Sequence, residues 1–157
     1  MAETDRQRDE SPAERADRQL IELLNELRIV LPGVTVLLAF LVAVPFAKGW
    51  AKVDEFQRDV FLVAFLATGV SVAFLTAPSS YHRLRFHSGH KEHLVQVGSR
   101  LTIAGIAAFA VALEAVVLLV VDYVLSTTAA IVATVCFALV IAVLWYGLAL
   151  SSKLRGR

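Results

Sequence analysis

The sequence predicts an all-α fold, an integral membrane four-helix bundle, on three observations. Of its 157 residues 57% are hydrophobic, only 18% are charged, and the charged ones are segregated from the apolar ones. Soluble domains average about 45–50% apolar and about 25% charged residues. Here Glu3, Asp5, Arg6, Arg8, Asp9, Glu10, Glu14, Arg15, Asp17, Arg18, Glu22, Glu26 and Arg28 crowd the beginning, while long later stretches carry no charge. A bilayer imposes such separation, because its core rejects ions that a wetted surface accepts.

Residues 1–10 have almost no apolar content and are expected to form a disordered polar tail. Residues 11–28 carry a helix-start pattern: Ser11 as cap, Pro12 at the first helical position, and Glu14 placed to reach back to the cap. Leu20, Leu23, Leu24, Leu27 and Leu31 then recur at helical spacing while Glu22, Asn25 and Glu26 face away. This predicts an amphipathic cytoplasmic helix continuous with the first span. Its acidic balance disfavours adsorption to anionic lipid, so it packs on its own bundle or a second copy, or docks a cytoplasmic protein partner. The segment lacks the basic stretch, short apolar core and cleavage site of a signal peptide, and the first span is expected to act as its own insertion signal.

A hydrocarbon core about 30 Å thick needs about 20 apolar residues at a rise of about 1.5 Å each. The domain 29–150 offers this at 29–47, 60–77, 101–121 and 129–150, the second being shortest and free to extend toward Arg58 or Ser80. No polar face interrupts these segments. Twelve of the fifteen basic residues fall in the N-terminal arm, the middle loop and the basic tail 151–157. The first and third connections hold only Lys48, Lys52 and Arg58, with Asp54, Glu55, Asp59 and Asp122 among them. Loops kept in the cytoplasm carry the basic excess, which places both termini and the middle loop there. Trp50 and Tyr123 then mark the outer interface, and Tyr81, Trp145 and Tyr146 the inner one.

A shift of 72 residues pairs Arg28 with Arg100, Gly33 with Gly105, Phe65 with Phe137, Ser79 with Ser151, Ser80 with Ser152 and Arg83 with Arg155. Two readings stand: a parallel repeat of two helical hairpins, or recurrence of basic and small residues at every cytoplasmic boundary. Small residues at four-residue spacing suggest packing seams at Gly69, Ala73 and Ala77, at Ala104, Ala108 and Ala112, and at Ala130, Thr134, Ala138 and Ala142. Pro32-Gly33 is expected to bend or loosen the first helix. The lone cysteine, Cys136, excludes an intrachain disulfide and is expected to be a small buried filler.

Glu114 is the one ionisable side chain well inside a span. A charged carboxylate there costs at least ~2.5 kcal/mol, so it must be protonated, face protein or water, or pair with a cation, of which Lys48 is nearest by depth. All four histidines, His82, His87, His90 and His93, lie in the middle loop. A zinc or nickel site on His87, His90 and His93 competes with a plainer reading, a basic, pH-sensitive surface facing lipid head groups. Membrane di-iron oxygenases resemble this cluster superficially but need more histidines in separate boxes. No phosphate-cradling glycine loop, Gly-x-Ser-x-Gly elbow, His-Glu-x-x-His or paired intramembrane aspartates occur, so an enzyme is the least favoured class. Neither a cofactor nor nucleic acid is expected.

Two motifs carry a family resemblance: Glu26-Leu27-Arg28 leading to Pro32-Gly33, and Ala77-Pro78-Ser79-Ser80-Tyr81-His82-Arg83. With Val44-Pro45-Phe46 and Phe56-Gln57-Arg58 between them, the chain from about Leu20 onward resembles small bacterial membrane proteins grouped as a domain of unknown function. The resemblance implies four spans and a bacterial cytoplasmic membrane, and no activity or ligand. By position, Glu26, Arg28, Tyr81, His82 and Arg83 meet at the inner boundary, where Glu26 is expected to accept a hydrogen bond from Arg83 or His82. The functional expectation is a non-enzymatic structural or interaction module that self-associates and contacts membrane lipids. The alternative is a small proton- or cation-coupled transporter or channel subunit using Glu114.

Overall fold

The computed structural model describes residues 12–84 and 91–147. Among them there is no strand, and four helices are long and apolar enough to cross a membrane: Ile21–Phe46, Glu55–Ser80, Gln96–Val124 and Thr127–Trp145. The chain is thus an all-α, four-helix membrane protein, as composition and span length require.

Helix α1, Pro12–Ala43, begins at the proline that suits a first helical turn and runs unbroken from the amphipathic segment into the first span. Leu23 and Leu27 are buried while Glu22, Asn25 and Glu26 are exposed, and Arg18 pairs with Glu22 one turn on at 3.4 Å. The helix continues through Pro32-Gly33. Pro32 contributes no N–H, and the Thr35 hydroxyl donates to the carbonyls of Leu31 and Pro32, each at 3.0 Å. Two short 3-10 turns, Val44–Phe46 and Lys48–Lys52, follow where Pro45 ends the α-helix.

Helix α2, Glu55–Leu84, contains Pro78, which removes one backbone bond from its last turns. The carbonyl it leaves open is that of Phe74, four residues back, and the neighbouring hydroxyls donate elsewhere: Thr76 to Val72 and Ala73, and Ser79 and Ser80 to Thr76. Helix α3 is Lys91–Val124 and helix α4 is Thr127–Ile141, continued by a π-helical turn, Ala142–Gly147. Ser126 caps α4 by accepting from the Ala129 N–H at 3.3 Å, so Leu125 and Ser126 suffice to connect α3 with α4.

Burial exposes a heptad period that hydrophobicity hides. On α2 the buried residues are Gln57, Phe61, Ala64, Thr68, Ser71, Leu75 and Pro78, alternating steps of four and three, with Val60 beside them. On α3 Gly98, Thr102, Gly105 and Ala112 follow the same rhythm, with buried Ala115 beside them, and on α1 Leu27, Val34 and Leu41 do so. A 3.5-residue repeat is the signature of left-handed helix packing, here built on small and hydroxylated residues, as close approach in lipid requires.

The described residues form two compact units. The first takes those up to Leu37 together with Gly69–Ala107. In it α2 and α3 run antiparallel: a Cβ added to Gly98 would touch Pro78 at 3.6 Å and Leu23 of α1 at 3.8 Å, and Gly105 lies against Leu75 and Phe74. The Ser71 hydroxyl donates to the Gly105 carbonyl at 2.8 Å, a buried bond between helices. The second unit takes Leu38–Thr68 and the residues from Ala108 onward. Trp50 meets Phe61 edge-on there at 4.9 Å between ring centroids, and Phe61 stacks with Phe65 at 6.2 Å.

Three expectations are corrected. Cys136 is exposed rather than buried, because α4 packs through Ala130 and leaves its other faces outward. The expected α2 seam at Gly69, Ala73 and Ala77 is displaced: Ala73 is exposed, Gly69 has open space beside it, and the seam follows Ala64, Thr68 and Ser71 instead. On α3, Ala112 is buried but Ala104 and Ala108 lie beside the seam, half-buried. Of the positions paired by the 72-residue shift, Gly33 faces open space and Gly105 is tightly enclosed, whereas Arg28 and Arg100 are both exposed and Phe65 and Phe137 both half-buried.

Candidate functional site

The strongest polar constellation lies in the second unit, where α2 begins. Asp54 and Gln57 form a reciprocal cap: the Gln57 N–H donates to Asp54 Oδ1 at 2.8 Å, and the Asp54 N–H donates to Gln57 Oε1 at 3.3 Å. This satisfies backbone donors that the first turn of a helix leaves open. The remaining function of the Gln57 amide is tertiary. Its Nε2 donates to Asp122 Oδ2 on α3 at 2.7 Å, a charge-assisted bond made by a buried side chain.

Next to these residues in sequence, the first connection and α3 line an apolar cavity of about 240 Å³, walled in part by Val44, Ala47, Trp50, Val53, Val120 and Tyr123. Gly49 stands so close to Tyr123 that an added Cβ would lie 2.9 Å from the phenolic oxygen. Glycine at 49 thereby leaves room for the Tyr123 phenol against the turn.

Glu114 is two turns before Asp122 on α3, about 12 Å by helical rise. Both its carboxylate oxygens are buried without a hydrogen-bond partner among the described residues. Lys48, the cation nearest by depth in the sequence, is exposed on its turn and does not reach Glu114. In place of the expected ion pair stands a carboxyl without a hydrogen-bond partner among the described residues, a form lipid tolerates best when neutral.

Of the inner-boundary residues, Glu26 and Arg28 are exposed on α1. Tyr81, His82 and Arg83 fall on the last turn of α2, and their side chains lie outside the described residues, as does the expected clamp with Glu26. His87 and His90 also lie outside the described residues; His93 is on the first turn of α3, with its side chain likewise outside them. Among the described residues no group of three metal-ligating side chains occurs.

The Asp54–Gln57 cap was within reach of sequence reasoning, since an acceptor followed three residues later by Gln is the capping-box spacing. The bond from Gln57 to Asp122 carries no such local signal.

No curated protein and no solved structure matches the chain. One family model does, over residues 9–149, and its description is a family of unknown function, DUF6328. Covering nearly all of the chain, including the four apolar helices, that match establishes that the chain belongs to this family of unknown function.

Proposed function

We propose that the chain is a non-enzymatic, multi-pass protein of the bacterial cytoplasmic membrane that self-associates in the bilayer. In this reading both termini and the middle loop are cytoplasmic, the basic loop faces lipid or protein, and residues 11–28 offer a face to a cytoplasmic protein partner. The distribution of basic residues supports the orientation. The packing of α4 carries the association: among its described residues only Ala130 is buried, while the small residues Ala138 and Ala142 stand exposed one turn apart. Helices in lipid associate through such small residues, because apolar bulk alone gains nothing over contact with lipid tails.

Subunit counting by single-molecule photobleaching, over a dilution series in lipid vesicles, tests this. The wild type is expected to dimerise or assemble further, and Ala138→Leu with Ala142→Leu to weaken that association about tenfold, with unchanged thermal stability of the dispersed chain. A wild type that stays monomeric at every density contradicts the proposal.

The buried carboxyl of Glu114, without a hydrogen-bond partner among the described residues, supports a second reading, a proton- or cation-coupled transporter or channel subunit. Under it Glu114→Gln abolishes pH-dependent ion flux in vesicles and leaves assembly and melting temperature intact. If the variant instead changes only stability, Glu114 serves packing.

A further inference from the structure

We propose that the second unit holds a binding site for one anionic phospholipid, with an acyl chain in the cavity beside Trp50 and the phosphate at Lys48 and Lys52. This goes beyond the association proposed above and does not depend on it.

The cavity's size and lining select the occupant. At about 240 Å³ it is smaller than the ~300–1,000 Å³ of pockets that take compact small-molecule ligands. Val44, Ala47, Val53 and Val120 offer a polar solute no hydrogen bond, and a narrow polymethylene segment needs none. Trp50 and Tyr123, also in the wall, are the residue types that stand at head-group level, so the site lies where a chain meets its glycerol ester.

Charge selects the head group. The turn Lys48–Lys52 contributes wall residues and carries an exposed lysine at each end. Neither lysine makes an ion pair among the described residues. The neighbouring acids are occupied or displaced: Asp54 caps α2, Asp122 accepts from Gln57, and Glu55 and Asp59 sit on the first turns of α2, where the helix dipole favours negative charge. The turn that supplies Gly49 and Trp50 to the slot thus carries two exposed ammonium groups at its ends, the complement of a phosphodiester above its hydrocarbon chain. Gly49, between Lys48 and Trp50, lets the turn lie close against the Tyr123 phenol.

Tryptophan quenching tests the proposal. The chain has two tryptophans, so full-length Trp145→Phe protein reports from Trp50 alone. It is reconstituted in phosphatidylcholine vesicles with rising fractions of acyl-brominated phosphatidylglycerol or acyl-brominated phosphatidylcholine. The glycerol lipid is expected to quench at the lower mole fraction, its association favoured about fivefold for each lysine. Lys48→Gln with Lys52→Gln erases the difference, whereas Lys48→Arg with Lys52→Arg retains it. Ala47→Phe, which fills the slot, reduces quenching by both lipids. Equal quenching by the two head groups in the lysine-containing protein overturns the proposal, as does head-group selectivity that survives the double glutamine variant. Both lysines are exposed on a connecting turn, so their replacement leaves the fold in place.

Discussion

Gly105→Val should destabilise the protein more than any other single small-to-large change on α3. Even the first added carbon would lie 2.8 Å from Cγ and Cδ2 of Leu75 and 3.2 Å from Cβ of Phe74. Leu75 is fully buried, so its side chain must move within a closely packed interior to make room. Overpacking of this kind costs about 1–3 kcal/mol for one methyl, so alanine should fall in that range and valine at or above its upper end. Separation of α2 from α3 would also break the bond from Ser71 to the Gly105 carbonyl, whose own loss in Ser71→Ala is worth about 0.5–1.5 kcal/mol. The controls are internal. Gly33 and Gly69 have nothing within 4 Å of an added Cβ, so alanine at either should match or exceed wild-type stability by up to about 1 kcal/mol through helix propensity. Unfolding in mixed detergent micelles checks the series, and equal losses at all three glycines would show that no close approach exists at Gly105.

The second large effect belongs to Gln57. Gln57→Ala removes half of the reciprocal cap, worth about 1 kcal/mol by itself, and in addition releases Asp122. Gln57→Glu should be worse than alanine. One carboxylate oxygen still accepts from the Asp54 N–H, but the other is pressed against Asp122 Oδ2, where the amide had stood at 2.7 Å. Two carboxylates so close cannot both stay ionised without repulsion, so acid should partly restore the variant as the pair takes up a shared proton. Combining Gln57→Glu with Asp122→Asn returns a donor to a facing acceptor and should recover most of the loss at neutral pH. Melting temperatures of the two single variants and the double variant decide it. Additive losses would mean that Gln57 and Asp122 do not act as a pair.

What could be read in the sequence follows from what lipid penalises. Four spans were legible because about 20 residues must be apolar whichever way they face. The faces were harder, since lipid-facing and helix-facing residues are equally apolar. On α4, Ile131, Val132, Val135 and Leu139 all point outward, and nothing in their chemistry separates them from a core. The signal that does separate faces is small and hydroxylated residues at heptad spacing. Ala64, Thr68 and Ser71 on α2 and Gly98, Thr102 and Gly105 on α3 show it, while four-residue spacing picked Gly69, Ala73 and Ala77, displaced from that seam. Cys136 was misassigned for the same reason, because small size does not report direction.

Around the leucines of α1, water supplies the contrast that lipid withholds. There Glu22, Asn25 and Glu26 mark the wet face, and burial of Leu23 and Leu27 follows the amphipathic pattern. Glu114 stood out by type, because an intramembrane carboxylate is rare, yet its surroundings depend on tertiary packing and the pairing with Lys48 did not follow. The Gln57–Asp122 bond joins residues 65 positions apart, and only the fold brings them together.

The claim on which the rest depends is that the chain crosses the bilayer four times. Single cysteines at Ser11, Lys52, Ser88, Ser126 and Gly156, introduced with Cys136→Ser, test it by labelling with a membrane-impermeant maleimide in intact and permeabilised cells. Lys52→Cys and Ser126→Cys are expected to react in intact cells, and the other three only after permeabilisation. Reaction of Lys52→Cys and Ser88→Cys from the same side would mean that α2 does not cross, and the four-span account would be wrong.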